Sequence, residues 1–155
     1  MKIQRIYIDT SVIGGCFDSE FAQWSNGLVH DFRLGNFKLV LSKVVAAEIE
    51  NAPTKVQALY QDLLTLNPEI ISLTDEMIDL ADVYQQHKIL TPKYYDDGLH
   101  IAIATIVEVD LLVSWNFMHM LHFNKIRLFN AVNLECGYKT IQIHSPREVT
   151  IYGTD

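Results

Sequence analysis

The sequence predicts an α/β domain of three layers, α/β/α, with a mainly parallel central sheet. Three observations lead there. Ile6, Tyr7 and Ile8, and later Leu111, Leu112 and Val113, form short apolar runs without helical period, the pattern of strands buried on both faces. Between such runs lie segments whose apolar residues recur every three or four positions, and strands alternating with helices favour a parallel sheet covered on both sides. The 155 residues suffice for one full-sized core, and no repeat, linker or low-complexity segment divides them, so one domain over 1–155 is expected.

Taken in order, the first strand covers 4–9. A polar stretch follows Gly14 and Gly15. Phe21, Trp24, Leu28 and Phe32 share one helical face, which predicts a helix over 20–34 ended by Gly35 and Asn36. A strand follows over 37–41. Ser42 is placed to cap a helix containing Val44, Val45, Ala47 and Ile49. Pro53 breaks that helix, and another runs over 56–66. Asn67 and Pro68 turn into a strand over 70–73. Thr74 caps the next helix, whose stripe runs through Met77, Ile78, Ala81 and Tyr84. The helix over 95–107 is apolar nearly all round, with Leu99, Ile101, Ala102, Ile103 and Ala104, so it belongs at the centre. After the strand at 111–113, helical segments are expected over 117–122 and 124–135, ending near Gly137, and a last strand over 139–143.

Composition narrows the function. At 49% hydrophobic and 20% charged residues the chain is ordinary globular material. No apolar run reaches membrane-spanning length and no signal-peptide stretch opens the chain, which predicts no membrane association and a cytoplasmic location. Cys16 and Cys136 have no zinc or redox spacing. A net charge of -7 argues against broad backbone-driven nucleic-acid binding, although bound divalent cations offset clustered carboxylates locally. GxGxxG, GxxxxGK[ST] and GxSxG are all absent. Asp9 and Thr10 match part of the DxDx[TV] signature of aspartyl-phosphate phosphatases, but Ser11 stands where its second aspartate is needed, so that chemistry is a distant alternative.

Polar groups at the edges of apolar elements remain. Asp9 ends the first strand, where open α/β sheets bind ligands; its plain alternative is a cap on the next turn. Glu48 sits on the helix after Ser42, Asp96 and Asp97 open the apolar helix, and Asn116 follows the strand at 111–113. In such a sheet Asp9, Glu48, Asp97 and Asn116 can meet in one crevice. Like charges held close repel unless a cation offsets them, and Mg2+ or Mn2+ favours carboxylate and water oxygens. Metal-activated water and phosphodiester hydrolysis are the chemistry of such a cluster. Asp97 is preferred over Asp96 because Asp97, Ile101 and Ala104 share a stripe, and Asp97 otherwise reads as a charge favoured by the helix dipole. Ser11 is a candidate partner for a ligating carboxylate. His100 reads first as a packing histidine, with a role beside the metal or as an acid the alternative. His119 and His122 read as structural or surface residues, and Trp115 and Phe117 as core or base-stacking groups.

Four segments in order resemble the PIN domain family, best known for the ribonuclease toxins of bacterial toxin–antitoxin pairs. They are Ile6 to Ser11 around Asp9, Ser42 to Ile49 around Glu48, Asp97 to Ala104, and Leu112 to Phe117 around Asn116. The resemblance covers nearly the whole chain. It implies a divalent-metal-dependent ribonuclease using Mg2+ or Mn2+, with Asp9, Asp97 and Glu48 as metal ligands and Asn116 beside them. It also implies an RNA substrate, an antitoxin protein partner and a homodimer; the sequence itself shows no clean interface stripe, and Met118, Met120, Leu121 and Phe123 read equally as interface or core. Asn116 stands where many relatives have an aspartate. An amide brings no charge, so a second metal would be held less tightly, and a PIN-fold binding module with little or no catalysis is the alternative reading.

Overall fold

Ile6, Tyr7 and Ile8 are inaccessible to solvent, as a strand flanked on both edges and covered on both faces must be. They form β1 (Arg5–Ile8), the central strand of five. The structure is a computed structural model that describes residues 2–153; positions 1, 154 and 155 of the expected domain lie outside the described residues. After β1 the chain runs through α1 (Thr10–Gly15), α2 (Ala22–Arg33), β2 (Lys38–Ser42), α3 (Lys43–Ile49) and α4 (Thr54–Leu64) to β3 (Glu69–Ile71). It continues through α5 (Asp75–Gln86), a 3-10 turn at Pro92–Tyr94, α6 (Tyr95–Ile106), β4 (Leu111–Val113), α7 (Phe123–Glu135), β5 (Ile143–His144) and α8 (Pro146–Val149).

The strand order is β3-β2-β1-β4-β5 and every pairing is parallel. This is the expected three-layer α/β/α domain. In register, Ile6 lies between Leu39 and Leu111, and Tyr7 between Val40 and Leu112. The order reverses direction at β1, with β2 on one side and β4 on the other. The carboxyl ends of β1 and β4 therefore flank the crevice in which open sheets of this kind hold ligands. The apolar α6 is central as its composition requires, with Ile101, Ala102, Ile103 and Ala104 all at 0% exposure.

Local signals placed most boundaries. Ser42 Oγ accepts the Val45 N–H at the start of α3, and Thr74 Oγ1 accepts the Met77 N–H at the start of α5. Gly35 and Gly137 adopt φ of +76° and +86° just beyond α2 and α7, a conformation that strains residues with a Cβ.

Three expectations fail, and one element has no counterpart in the sequence reading. That element is α1, which forms directly after Asp9 and buries Val12 and Ile13, and Gly15 is required there because a Cβ would come within 2.6 Å of Ser25 Oγ and Trp115 Nε1. Residues 117–122 are not helical. The Asn116 carbonyl accepts the N–H groups of both Met120 and Leu121, which closes turns, and His122 is extended. The last strand is only Ile143–His144, because Asn130 of α7 takes the Ile141 N–H at 2.8 Å and donates to its carbonyl at 3.2 Å. The third strand begins at Glu69 rather than 70 and ends at Ile71.

Arg5 explains why Glu69 joins the sheet. Its Nε and Nη2 donate to the Glu69 carboxylate at 2.9 and 2.6 Å, while Nη1 donates to the Val107 carbonyl at 2.9 Å. The Arg5 hydrogen bond holds the Glu69 carboxyl below the usual range. A carboxyl lowered on folding stabilises above its unfolded pKa, and that contribution is lost as pH falls through the folded value. Glu69→Gln is expected to cost about 0.5–1 kcal/mol at neutral pH, the range for a partly exposed pair. In urea melts the gap between wild type and variant should close as the solution is acidified; a constant gap would assign the loss to packing.

Candidate active site

β1 ends at Asp9, whose extended backbone (φ -90°, ψ 178°) turns its side chain out of the strand as α1 begins. The carboxylate is 5% exposed and caps nothing, because it makes no bond to the α1 backbone. Ser11 Oγ donates to Oδ1 at 2.5 Å and Ser114 Oγ donates to Oδ2 at 2.7 Å. Ser11 Oγ also accepts the Trp115 N–H at 2.9 Å. The residues after β1 and after β4 are thus tied together across the crevice. No lysine or arginine bonds Asp9 among the described residues, and burial pushes its pKa up despite the neighbouring His100 and the two hydroxyls.

A second carboxylate, Asp97, lies in the first turn of α6 and is partly buried, whereas Asp96 is exposed. Its Oδ2 accepts from Asn116 Nδ2 at 3.1 Å and from His119 Nδ1 at 2.7 Å. Asn116 Oδ1 in turn accepts the His119 N–H at 2.9 Å, and the Asn116 N–H donates to Ser114 Oγ at 2.9 Å. A continuous hydrogen-bonded path therefore runs from Asp9 through Ser114 and Asn116 to Asp97.

The third carboxylate, Glu48 of α3, accepts from His100 Nε2 at 2.5 Å. His100 is 1% exposed, and its Nδ1 faces the Tyr7 hydroxyl at 2.6 Å. With the ring neutral, Tyr7 donates to Nδ1 and receives the Ser42 hydroxyl proton across 2.7 Å. Burial opposes protonation of His100, but its Glu48 hydrogen bond and the charges of Asp9, Glu48 and Asp97 outweigh it and leave its pKa raised.

Asp9, Glu48, Asp97, Asn116, Ser11 and His100 are thus drawn into connected neighbourhoods; Asp96 stands on the outside, beside Glu48. Three participants escaped the sequence reading. His119 belongs to Asp97; its spacing of three from Asn116 suits the turn that joins them. Ser114 is the residue at which β4 leaves the sheet, and Tyr7 is a buried phenol that needs polar partners. Of the proposed interface residues, Met120 is buried in the core, while Met118 and Phe123 are 68% and 72% exposed.

Among the described residues no group of three or more His, Cys, Asp or Glu side chains is arranged as a metal cluster. The donors are nevertheless of the right kind. A buried carboxylate bonded by no described lysine or arginine, with Asp97 on the same hydrogen-bonded path, suits an ion held by one or two carboxylates and completed by water, the usual habit of Mg2+.

No family model matches the sequence, and no curated protein does. Solved structures do share the fold. FitAcB from Neisseria gonorrhoeae matches with a TM-score of 0.60 at 14% identity, over 93% of this chain and 99% of that one. VapBC2 from Rickettsia felis, bound to a DNA fragment from its promoter, matches with a TM-score of 0.56 at 15% identity, over 91% and 98%. A toxin–antitoxin complex from Klebsiella pneumoniae matches with a TM-score of 0.54 at 15% identity, over 73% and 88%. At these identities the likeness establishes the architecture.

The burial of Asp9 has a measurable consequence. A carboxyl raised on folding destabilises once pH exceeds its unfolded value, and the deficit is complete above the folded value. Asp9→Asn removes that deficit while an amide still bonds both serines. In EDTA at neutral pH the variant is expected to melt at or above the wild-type temperature; a clear drop would mean that the negative charge holds the crevice together.

Proposed function

We propose that this chain is a divalent-metal-dependent ribonuclease of the PIN type, hydrolysing RNA phosphodiester bonds as the toxin of a toxin–antitoxin pair. The observation that carries the reading is the Asp9 carboxylate, buried at the sheet's switch point and clamped by two hydroxyls, with no lysine or arginine bonded to it among the described residues. The shared fold of the toxin–antitoxin complex from Klebsiella pneumoniae supports the toxin role. An antitoxin chain and a second copy of this chain are the protein partners in this reading, and the cytoplasm is its location. No described helix is long and apolar enough to cross a membrane.

Bound Mg2+ or Mn2+ would supply a Lewis acid and a water of lowered pKa. Asp9 and Asp97 would hold it. The remaining residues set geometry and charge. Ser11 and Ser114 fix both oxygens of Asp9. Asn116 and His119 converge on Asp97 Oδ2 and fix the orientation of this carboxylate. His100 holds Glu48 through Oε1, and Glu48 would orient a water at the site. Tyr7 and Ser42 hold His100 from behind.

Purified protein is expected to cut RNA with Mn2+ and to stop in EDTA. Asp9→Asn and Asp97→Asn should fold and fail to cut, and Ser114→Ala should weaken Mn2+ binding by about 10–100-fold. Equal cleavage by wild type and both aspartate variants would mark the activity as a contaminant.

A PIN-fold binding module with little catalysis is favoured by one observation: position 116 is an amide whose two polar atoms are already engaged by His119 and Asp97. Titration calorimetry with Mn2+ separates the readings. Tighter binding by Asn116→Asp assigns residue 116 to the metal site, whereas no binding by wild type or variant favours the module.

A further inference from the structure

Beside the Asp9 crevice lies a cavity of about 400 Å³ that the chemistry above does not use. Ser11 and Asn116 line it, and both belong to the hydrogen-bonded path around Asp9 and Asp97. Trp115 and Phe21 also line it, stacked on each other with ring centroids 4.2 Å apart and 19° between planes. Phe117, 55% exposed, stands 6.1 Å from each of those rings and extends the aromatic surface to solvent. Gly14 contributes open space: a Cβ there would meet nothing within 4 Å. The lining contains no lysine or arginine, and its one charged residue is Asp18.

We propose that this cavity is a nucleobase pocket that seats a base of single-stranded RNA next to the phosphodiester presented to Asp9. The proposal rests on the ribonuclease reading and deepens it by assigning a substrate subsite. An acidic lining without a cation repels phosphate, so the neutral, planar part of a nucleotide is what fits. Aromatic surface supplies the stacking that binds bases of any sequence. Asp18 adds a preference. A carboxylate accepts from the amino groups of adenine, cytosine and guanine, whereas uracil presents carbonyl oxygens at the matching positions and is disfavoured. The adjacency to Ser11 and Asn116 fixes which phosphate reaches the carboxylates, so the pocket positions the cut as well as the strand.

The test is binding without cleavage. Oligo-A, oligo-C and oligo-U RNA are titrated in EDTA while Trp115 fluorescence is read in a Trp24→Phe background, since Trp24 and Trp115 are the chain's two tryptophans. Quenching by oligo-A and oligo-C, with weaker quenching by oligo-U, is expected. Gly14→Leu fills the cavity and should weaken oligo-A binding by about 10-fold with an unchanged circular dichroism spectrum. Asp18→Asn, at an exposed position, should narrow the gap between oligo-C and oligo-U. A folded Gly14→Leu that binds oligo-A like its parent overturns the pocket, even if wild type cleaves RNA with Mn2+. Should Gly14→Leu fail to fold, an unchanged base preference in Asp18→Asn overturns it instead. Loss of binding in Gly14→Leu by a protein that never cleaves upholds the pocket and overturns the ribonuclease reading alone.

Discussion

The structure depends on one costly placement: a carboxylate with almost no solvent at the end of its most buried strand. β1 is inaccessible along Ile6, Tyr7 and Ile8, so the residue that follows emerges into a crevice walled by neighbouring elements. Asp9 cannot be hydrated there as a surface aspartate is. The fold answers with two hydroxyls, one from α1 and one from the residue after β4, and with a histidine nearby rather than a lysine. Neutral donors satisfy the oxygens without cancelling the charge. What results is a buried carboxyl with both oxygens bonded and its pKa held above the usual range.

Everything around it serves that carboxyl by position. The parallel order places the ends of β1 and β4 side by side, and the turn after β4 delivers Ser114, Asn116 and His119 within six residues. Asn116 links Asp9 to Asp97 through its N–H and its side-chain amide. Two residues before Asp9 on the same strand face, Tyr7 anchors His100, which fixes Glu48. The amide at 116 gives this crevice fewer negative charges than an all-acidic one, and the histidines on Asp97 and Glu48 give it more donors.

The relation between sequence and structure is uneven in an instructive way. Segments with a strong period and a cap were legible: α5 begins at the Thr74 cap, and α6 shows its central burial in its composition. The segments misread were those whose backbone bonds are taken by distant or unforeseen partners. Residues 117–122 have helical-looking spacing, but Asn116 captures two N–H groups. Residues 139–142 look like strand, but Asn130 captures Ile141. α1 has no counterpart in the sequence reading, and its Gly15 is there because Trp115 presses against the helix.

The sequence by itself determined the alternation of strands and helices, the burial of the first strand and the polar residues left at element ends. These follow from relations of a few residues: alternation in strands, three-to-four spacing in helices, a side chain reaching an N–H three positions on. Tertiary structure alone decided which polar ends meet. Ser114 bonds Asp9 across 105 positions and His100 bonds Glu48 across 52. Such partners are chosen by strand order and crossover path, and no local period encodes them.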